Sequence, residues 1–530
     1  MGIFAIAPVL ATVAALYAAA QGEGALQNGR QLNVRQMNGS QALADWSMAG
    51  QNLADTRSQP AEHRINPANV SRLSVKWIFT TANSVSATPA VVGDAVYFPD
   101  WAGNLYAVNR ETGRQIWSAS ISSYDGFTGA VSRVTPTVYR DELIFGDNEE
   151  LAGAHNGANL IAVDRSTGAL RWITQIDSHP AAIVTGSAVV FDGVVYQGIS
   201  SSEEGLADTP GYPCCTFRGS VVAVDAKTGR ILWQTFAVPD NHGAPDAYSG
   251  GAIWQPPVVE PGRRLLYVGT GNNYSAPAAV LACRAAHPMD PNCTASNDHF
   301  DSVLAMDLRT GAVRWTRRLW GYDVWTVACI APRAGVSCPS PAGPDYDLGG
   351  SGANLANGIL GIGQKSGIYW ALDAQDGAIL WGTPVAPGGP FGGILWGTAT
   401  DGRRIYVASA DSNGDPYKLP SGQTAAWGSW SALDPLSGKI LWQTPDPTQG
   451  AIDTGSVSVA NGVLYAGSQS GGMYALDAAN GKILWSFASG GSVMDGPAIA
   501  DGVVYWASGY GHDGGTFNNK VYAFEVPRAR

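Results

Sequence analysis

No run of lysine and arginine occurs anywhere in this chain, and charged residues make up only 14% of it. At a net charge of −11 it lacks the clustered basic surface that a phosphate backbone demands, which excludes a nucleic-acid partner. No C-x-x-C-H occurs, so the chain attaches no c-type haem of its own. Long apolar runs are absent beyond the first, IFAIAPVLATVAALYAAAQG, which ends in Ala18, Ala19 and Ala20. The usual basic residue before such a run is missing. Its length and small terminal residues still read as a secretory signal over residues 1–20 rather than an anchor. No later segment is apolar enough to span a bilayer, so the mature chain is expected to carry no integral membrane span.

Cysteine is sparse, with six residues. Cys283 and Cys293, like Cys329 and Cys338, lie close together in Pro- and Asn-rich stretches. Local pairing of each leaves the adjacent Cys214 and Cys215 with each other. Such bonds suit an oxidising compartment, and an exported chain of this kind is expected in a periplasm.

What the chain has in quantity is glycine, 66 residues, and tryptophan, 18. That composition marks turn-rich β structure rather than helix. One pattern recurs: AVNRETGRQIW (107–117), AVDRSTGALRW (162–172), AVDAKTGRILW (223–233), AMDLRTGAVRW (305–315), ALDAQDGAILW (371–381), ALDPLSGKILW (432–442) and ALDAANGKILW (475–485). Each copy is a strand, a tight turn whose Gly tolerates positive φ, and a second strand ending in Trp. An eighth copy is split between the termini, with AFEV (523–526) as its first strand and NVSRLSVKW (69–77) as its second. Pairing the chain ends inside one sheet closes a ring and leaves no free edge. A pair of short alternating strands precedes each copy, as in SAVVFDGVVYQG (187–198). The expectation is an all-β chain with a single eight-bladed β-propeller over residues 63–530, preceded by an extension over 21–62.

Eight blades carrying A-x-D-x-x-T-G-x-x-x-W resemble the quinoprotein alcohol dehydrogenases, which use pyrroloquinoline quinone (PQQ). GQKSGIYWALD, GGILWGTATDG and EEGLADTPGYPCCTFRG are most similar to the polyvinyl alcohol dehydrogenase branch. Similar repeats also build scaffold propellers that bind no cofactor, including an outer-membrane assembly lipoprotein. This chain has no lipid-acceptor Cys near its first apolar run.

In a four-stranded antiparallel blade the start of the innermost strand, the end of the second and the loop to the next blade share one face. A site on that face draws its residues from those places. Glu203 and Asn272 each end a second strand and match family metal ligands, oxygen donors that suit Ca²⁺ or, alternatively, a lanthanide. Glu204 substitutes for Glu203 if the loop is shifted by one. Trp254 begins a first strand and matches the residue that stacks on PQQ. The resemblance gives Lys365 the quinone oxygens and Arg133 a cofactor carboxylate, and it makes Thr185 and Ser200 hydroxyl donors.

The family's H-D-x-W-D ends in the catalytic base, yet here GYDVWTVAC places Thr326 at that position. An insertion carrying Cys329 and Cys338 splits the motif, which resumes at PDYDLGG. Asp345 then becomes both base and metal ligand, and Asp347 resembles the additional Asp of lanthanide-using relatives. Asp323 is the alternative base. The family's vicinal disulfide lies over the PQQ plane, in a loop before a first strand. Cys214–Cys215 lies instead in a second-to-third-strand loop of the same face, and the resemblance implies a wall of the quinone site. The expected activity is oxidation of a secondary alcohol, of polyvinyl alcohol type or another bulky alcohol, with electrons passed to a separate cytochrome c. The rival readings are a non-catalytic propeller and a quinoprotein acting on sugars or aldehydes.

Overall fold

The computed structural model describes residues 45–149, 157–287 and 290–527. The expected signal, 1–20, and the extension up to residue 44 lie outside the described residues. Eight antiparallel sheets follow one another as the blades of a propeller, seven of four strands and one of five, in which the short strand Ala182–Ile183 also pairs with Val194–Ser201. In each, chain order runs from inner to outer strand, as in Ala353–Ala356, Ile359–Gly363, Ile368–Asp373 and Ile379–Pro384. The last blade takes three strands from the C-terminal end and its outer strand, Ser74–Thr80, from the N-terminal end, with Trp77 opposite Ala523 and Thr80 opposite Lys520.

The repeat's Gly and Trp explain how blades join. The indole N–H donates to a backbone carbonyl of the next blade in seven of the eight copies, from Trp77 to Arg110 through Trp485 to Leu73, at 2.9–3.2 Å. Seven of the rings, all but that of Trp485, which meets the split blade, lie on the Gly of the next blade's turn. A Cβ there would come within 2.4–2.9 Å of ring atoms, and φ is +68° to +74°. The Gly is therefore required twice, for backbone hand and for space. Gly481→Ala would meet both constraints, with its Cβ 2.4 Å from Trp442 Cε3. It is expected to cost about 2–4 kcal/mol, read as a lower denaturation midpoint at unchanged slope.

Residues 45–62 run across the inner strands, towards the face opposite the long loops. Backbone bonds tie Trp46 to Val91, Ser47 to Val138, Leu53 to Val259, Ala54 to Leu355, Thr56 to Thr400 and Arg57 to Val459, at 2.8–3.0 Å. Trp46 is fully buried. The three disulfides are Cys214–Cys215, Cys283–Cys293 and Cys329–Cys338, as the spacing predicted.

Candidate functional site

The loops on one face bring most of the expected residues together near the centre. Lys365, just beyond the strand Ile359–Gly363, donates through Nζ to Asp345 Oδ1 at 2.9 Å and Oδ2 at 3.1 Å. It also pairs with Asp347 Oδ2 at 2.8 Å. Burial alone would lower the ammonium's pKa, but Asp345, Asp347 and Glu204 hold it well above its ordinary value. The indole of Trp325 lies beneath it, with Nζ 5.9 Å from the ring centre.

Asp323 is fully buried and accepts from the backbone N–H of Asp345, at 3.1 Å, and of Tyr346. Its carboxylate thus holds the loop on which Asp345 sits. Asn272 is fixed from the same segment: its Nδ2 donates to Trp325 O at 2.8 Å and to Asn273 O at 3.0 Å.

The two glutamates of the one-turn helix Glu203–Leu206 part company. Glu203 spends its carboxylate on Thr216 N–H at 2.9 and 3.0 Å, Phe217 N–H at 2.7 Å and Tyr212 O–H at 3.2 Å. Glu204 faces the acidic cluster, where Lys365 opposes and Asp347 and Asp323 reinforce the effect of its burial. Its Oε1 is buried without a hydrogen-bond partner.

Trp254 lies against Gly271 and Gly349, where a Cβ would come 3.3 Å from Nε1 and 2.7 Å from Cδ1. This close approach sets the indole beside Asn272 and the Asp347 loop. Thr185 Oγ1 donates to Trp254 O at 3.1 Å and lies 2.9 Å from Ser200 Oγ. Thr185 and Arg133 line one central cavity with an empty volume of about 450 Å³, counting the space at its mouth. The Arg133 guanidinium sits 4.5 Å from the Trp396 ring centre and 5.5 Å from those of Trp101 and Tyr510. Cys214 and Trp254 pack against the same apolar cluster, which includes Cys215, Phe217, Ala252 and Tyr274.

Sequence reading missed Asp301 and Tyr274. Asp301 is fully buried with its carboxyl beside that of Asp323, and burial, then Asp323 and Asp347, push its pKa well above normal. It stands just before the third strand Ser302–Asp307, at the site end of the blade, so the alternation of strand directions was a usable signal. The Tyr274 hydroxyl is buried and unpartnered, among Glu204, Asp347, Glu203 and Asp345.

Five buried carboxylates, Glu204, Asp301, Asp323, Asp345 and Asp347, thus share one region with Lys365, and the orphaned Oε1 of Glu204 fits a hard cation. Among the described residues no three His, Cys, Asp or Glu converge as a preformed cage. The ammonium lies between Asp345 and Asp347.

A family model described as "Glucose/ethanol/alcohol dehydrogenase, beta-propeller domain" matches residues 46–332, and one for the outer membrane protein assembly factor BamB matches 428–526. A polyvinylalcohol dehydrogenase of Sphingopyxis sp. (strain 113P3) is 33% identical over 520 residues, covering 87% of this chain and 73% of that protein. The solved quinohemoprotein alcohol dehydrogenase from Comamonas testosteroni superposes with a TM-score of 0.68 at 21% identity, covering 92% of this chain and 81% of that one. A europium-containing methanol dehydrogenase gives 0.66 at 18%, covering 91% and 98%. These two establish the shared fold. The repeat, the ring of eight blades and the sequence relationship together place the chain in the PQQ-dependent alcohol dehydrogenase family of oxidoreductases.

Proposed function

We propose that the protein is a periplasmic, metal-dependent dehydrogenase of secondary alcohols that passes electrons to a separate cytochrome c. The observation that carries the reading is the buried carboxylate cluster around Lys365, beside Trp254. PQQ, when bound, supplies the hydride acceptor, and a cation beside it supplies Lewis acidity.

The remaining work belongs to this chain. Glu204, Asn272 and Asp345 hold the cation, Ca²⁺ or a lanthanide. Glu204 takes the place first expected for Glu203, whose oxygens are committed to the 212–217 loop. Trp254 offers a flat apolar face, with Cys214–Cys215 as a wall. Arg133, Thr185 and Ser200 supply the cation and hydroxyls that a planar tricarboxylate requires. Asp345 takes the proton of the substrate hydroxyl. Lys365 keeps that carboxylate oriented, and Asp347 keeps Lys365 neutralised once Asp345 has taken the proton. A bulky alcohol of polyvinyl type is the substrate class, by kinship with the relative of that name.

The test is reconstitution of purified apoprotein with PQQ and Ca²⁺ or La³⁺, followed by dye reduction with secondary alcohols. Turnover that needs both additions is expected. A protein that binds no PQQ under excess cofactor and metal is a scaffold instead.

Cation binding also has a pH signature. Burial, with nearby carboxylates reinforcing it, pushes the Glu204 and Asp323 carboxyls up to about 7. Between their ordinary values, 4.5 and 3.8, and about 7, the folded chain binds more protons than the unfolded one. Metal-free stability therefore falls as pH rises through that window. A bound cation offsets the loss, so metal should raise Tm more at pH 8 than at pH 5. Equal shifts at the two pH values would argue against these groups facing the metal.

A further inference from the structure

The helix turn Glu203–Leu206 joins two features that have no direct contact in sequence logic, the vicinal disulfide and the metal carboxylate. Successive helical residues point about 100° apart, so adjacent glutamates serve different neighbours. Glu203 is fully buried and its oxygens accept from Tyr212 O–H, Thr216 N–H and Phe217 N–H. Those donors bracket Cys214 and Cys215. Glu204 turns the other way, its Oε1 unpartnered towards Lys365 and the aspartates.

A second disulfide loop holds the same segment from outside. Ser337 N–H donates to Ala207 O at 2.9 Å and Gly211 N–H to Gly335 O at 2.8 Å. Arg333 grips Asp208 through both terminal guanidinium nitrogens, Nη1 and Nη2. That loop is closed by Cys329–Cys338, and Thr326 Oγ1 ties it back to Trp325's segment through Ser337 O at 2.7 Å. Trp325 O in turn accepts from Asn272. The Glu204 turn is thus held between two disulfide-bearing loops, and the second loop is tied to Asn272.

We propose that Glu203 is a positioning residue: it clamps the Cys214–Cys215 loop to the turn that carries Glu204, so that loop order and cation affinity support each other. The inference rests on the reading of Glu204 as a metal ligand. Coupling between two such sites is reciprocal. Loosening the loop weakens the cation, and the cation protects the loop.

The experiment uses the full chain, Tb³⁺ alone as a luminescent probe ion, and Glu203→Gln, which places an amide N–H₂ against backbone N–H donors. Tb³⁺ affinity is expected to fall about tenfold, the scale typical of lost outer contacts at metal sites. A role in global stability alone would lower Tm and leave that affinity unchanged. In the wild type, Tb³⁺ should slow reduction of Cys214–Cys215 by dithiothreitol, which becomes its cyclic disulfide as two thiols form. Counting thiols follows the reaction. Tyr212→Phe, which removes a single bond, should shift both readouts in the same direction by about twofold.

Wild-type affinity in a folded Glu203→Gln, or thiol release indifferent to Tb³⁺, overturns the proposal. Should Glu203→Gln not fold, Tyr212→Phe and the Cys214→Ala/Cys215→Ala double variant decide it, and unchanged Tb³⁺ affinity in both overturns it. A wild type that binds no Tb³⁺ fails the metal reading itself, a distinguishable result.

Discussion

Asp345→Asn is expected to lower kcat by about a thousandfold at saturating PQQ and metal, with weaker metal binding beside it because a charged ligand oxygen is lost. Removing a positioned base typically costs 10²–10⁴-fold, and Asn keeps the shape of the side chain. The substitution leaves Lys365 paired with Asp347 at 2.8 Å, so the ammonium is not left without a counter-charge. Cofactor binding, read by quenching of tryptophan fluorescence, should change little. Asp323→Asn provides the contrast. That carboxylate accepts the N–H groups of Asp345 and Tyr346, so its loss should misplace the base and lower kcat with a smaller change in KM. Full turnover by Asp345→Asn would transfer the base role to Asp323.

The second large effect is expected at Glu204. Glu204→Gln removes a charged oxygen from the cluster and should weaken metal binding by about a hundredfold or more, with activity restored only at high metal. Its neighbour Glu203 should show about a tenth of that loss, because its carboxylate acts through the loop. Titration of both variants with Ca²⁺ and with La³⁺ ranks them. An unaffected Glu204→Gln beside a metal-free Glu203→Gln would restore the assignment made from motif matching.

Almost the whole architecture was legible in the residues. The repeat encodes its own turn and its own blade-to-blade contact, so seven copies and a split eighth specify the ring before any packing is known. Strand alternation put Thr185, Trp254, Asn272 and Asp345 at one face, while Lys365 was picked out by resemblance alone. Chain ends that pair as Ser74–Thr80 with Lys520–Glu525 were visible as two halves of one motif.

Tertiary structure alone decided matters of orientation and long-range assembly. Glu203 and Glu204 are indistinguishable in a string of letters, because in one helical turn a single step changes the facing by about 100°. Arg133 rests on Trp396, Trp101 and Tyr510, drawn from parts of the chain hundreds of residues apart. Asp323 became a holder of the base loop only when the insertion after Thr326 folded back and brought the amides of Asp345 and Tyr346 to it. Repeats are local and survive in sequence, whereas the direction of a buried side chain in a loop depends on every neighbour that fills the space around it.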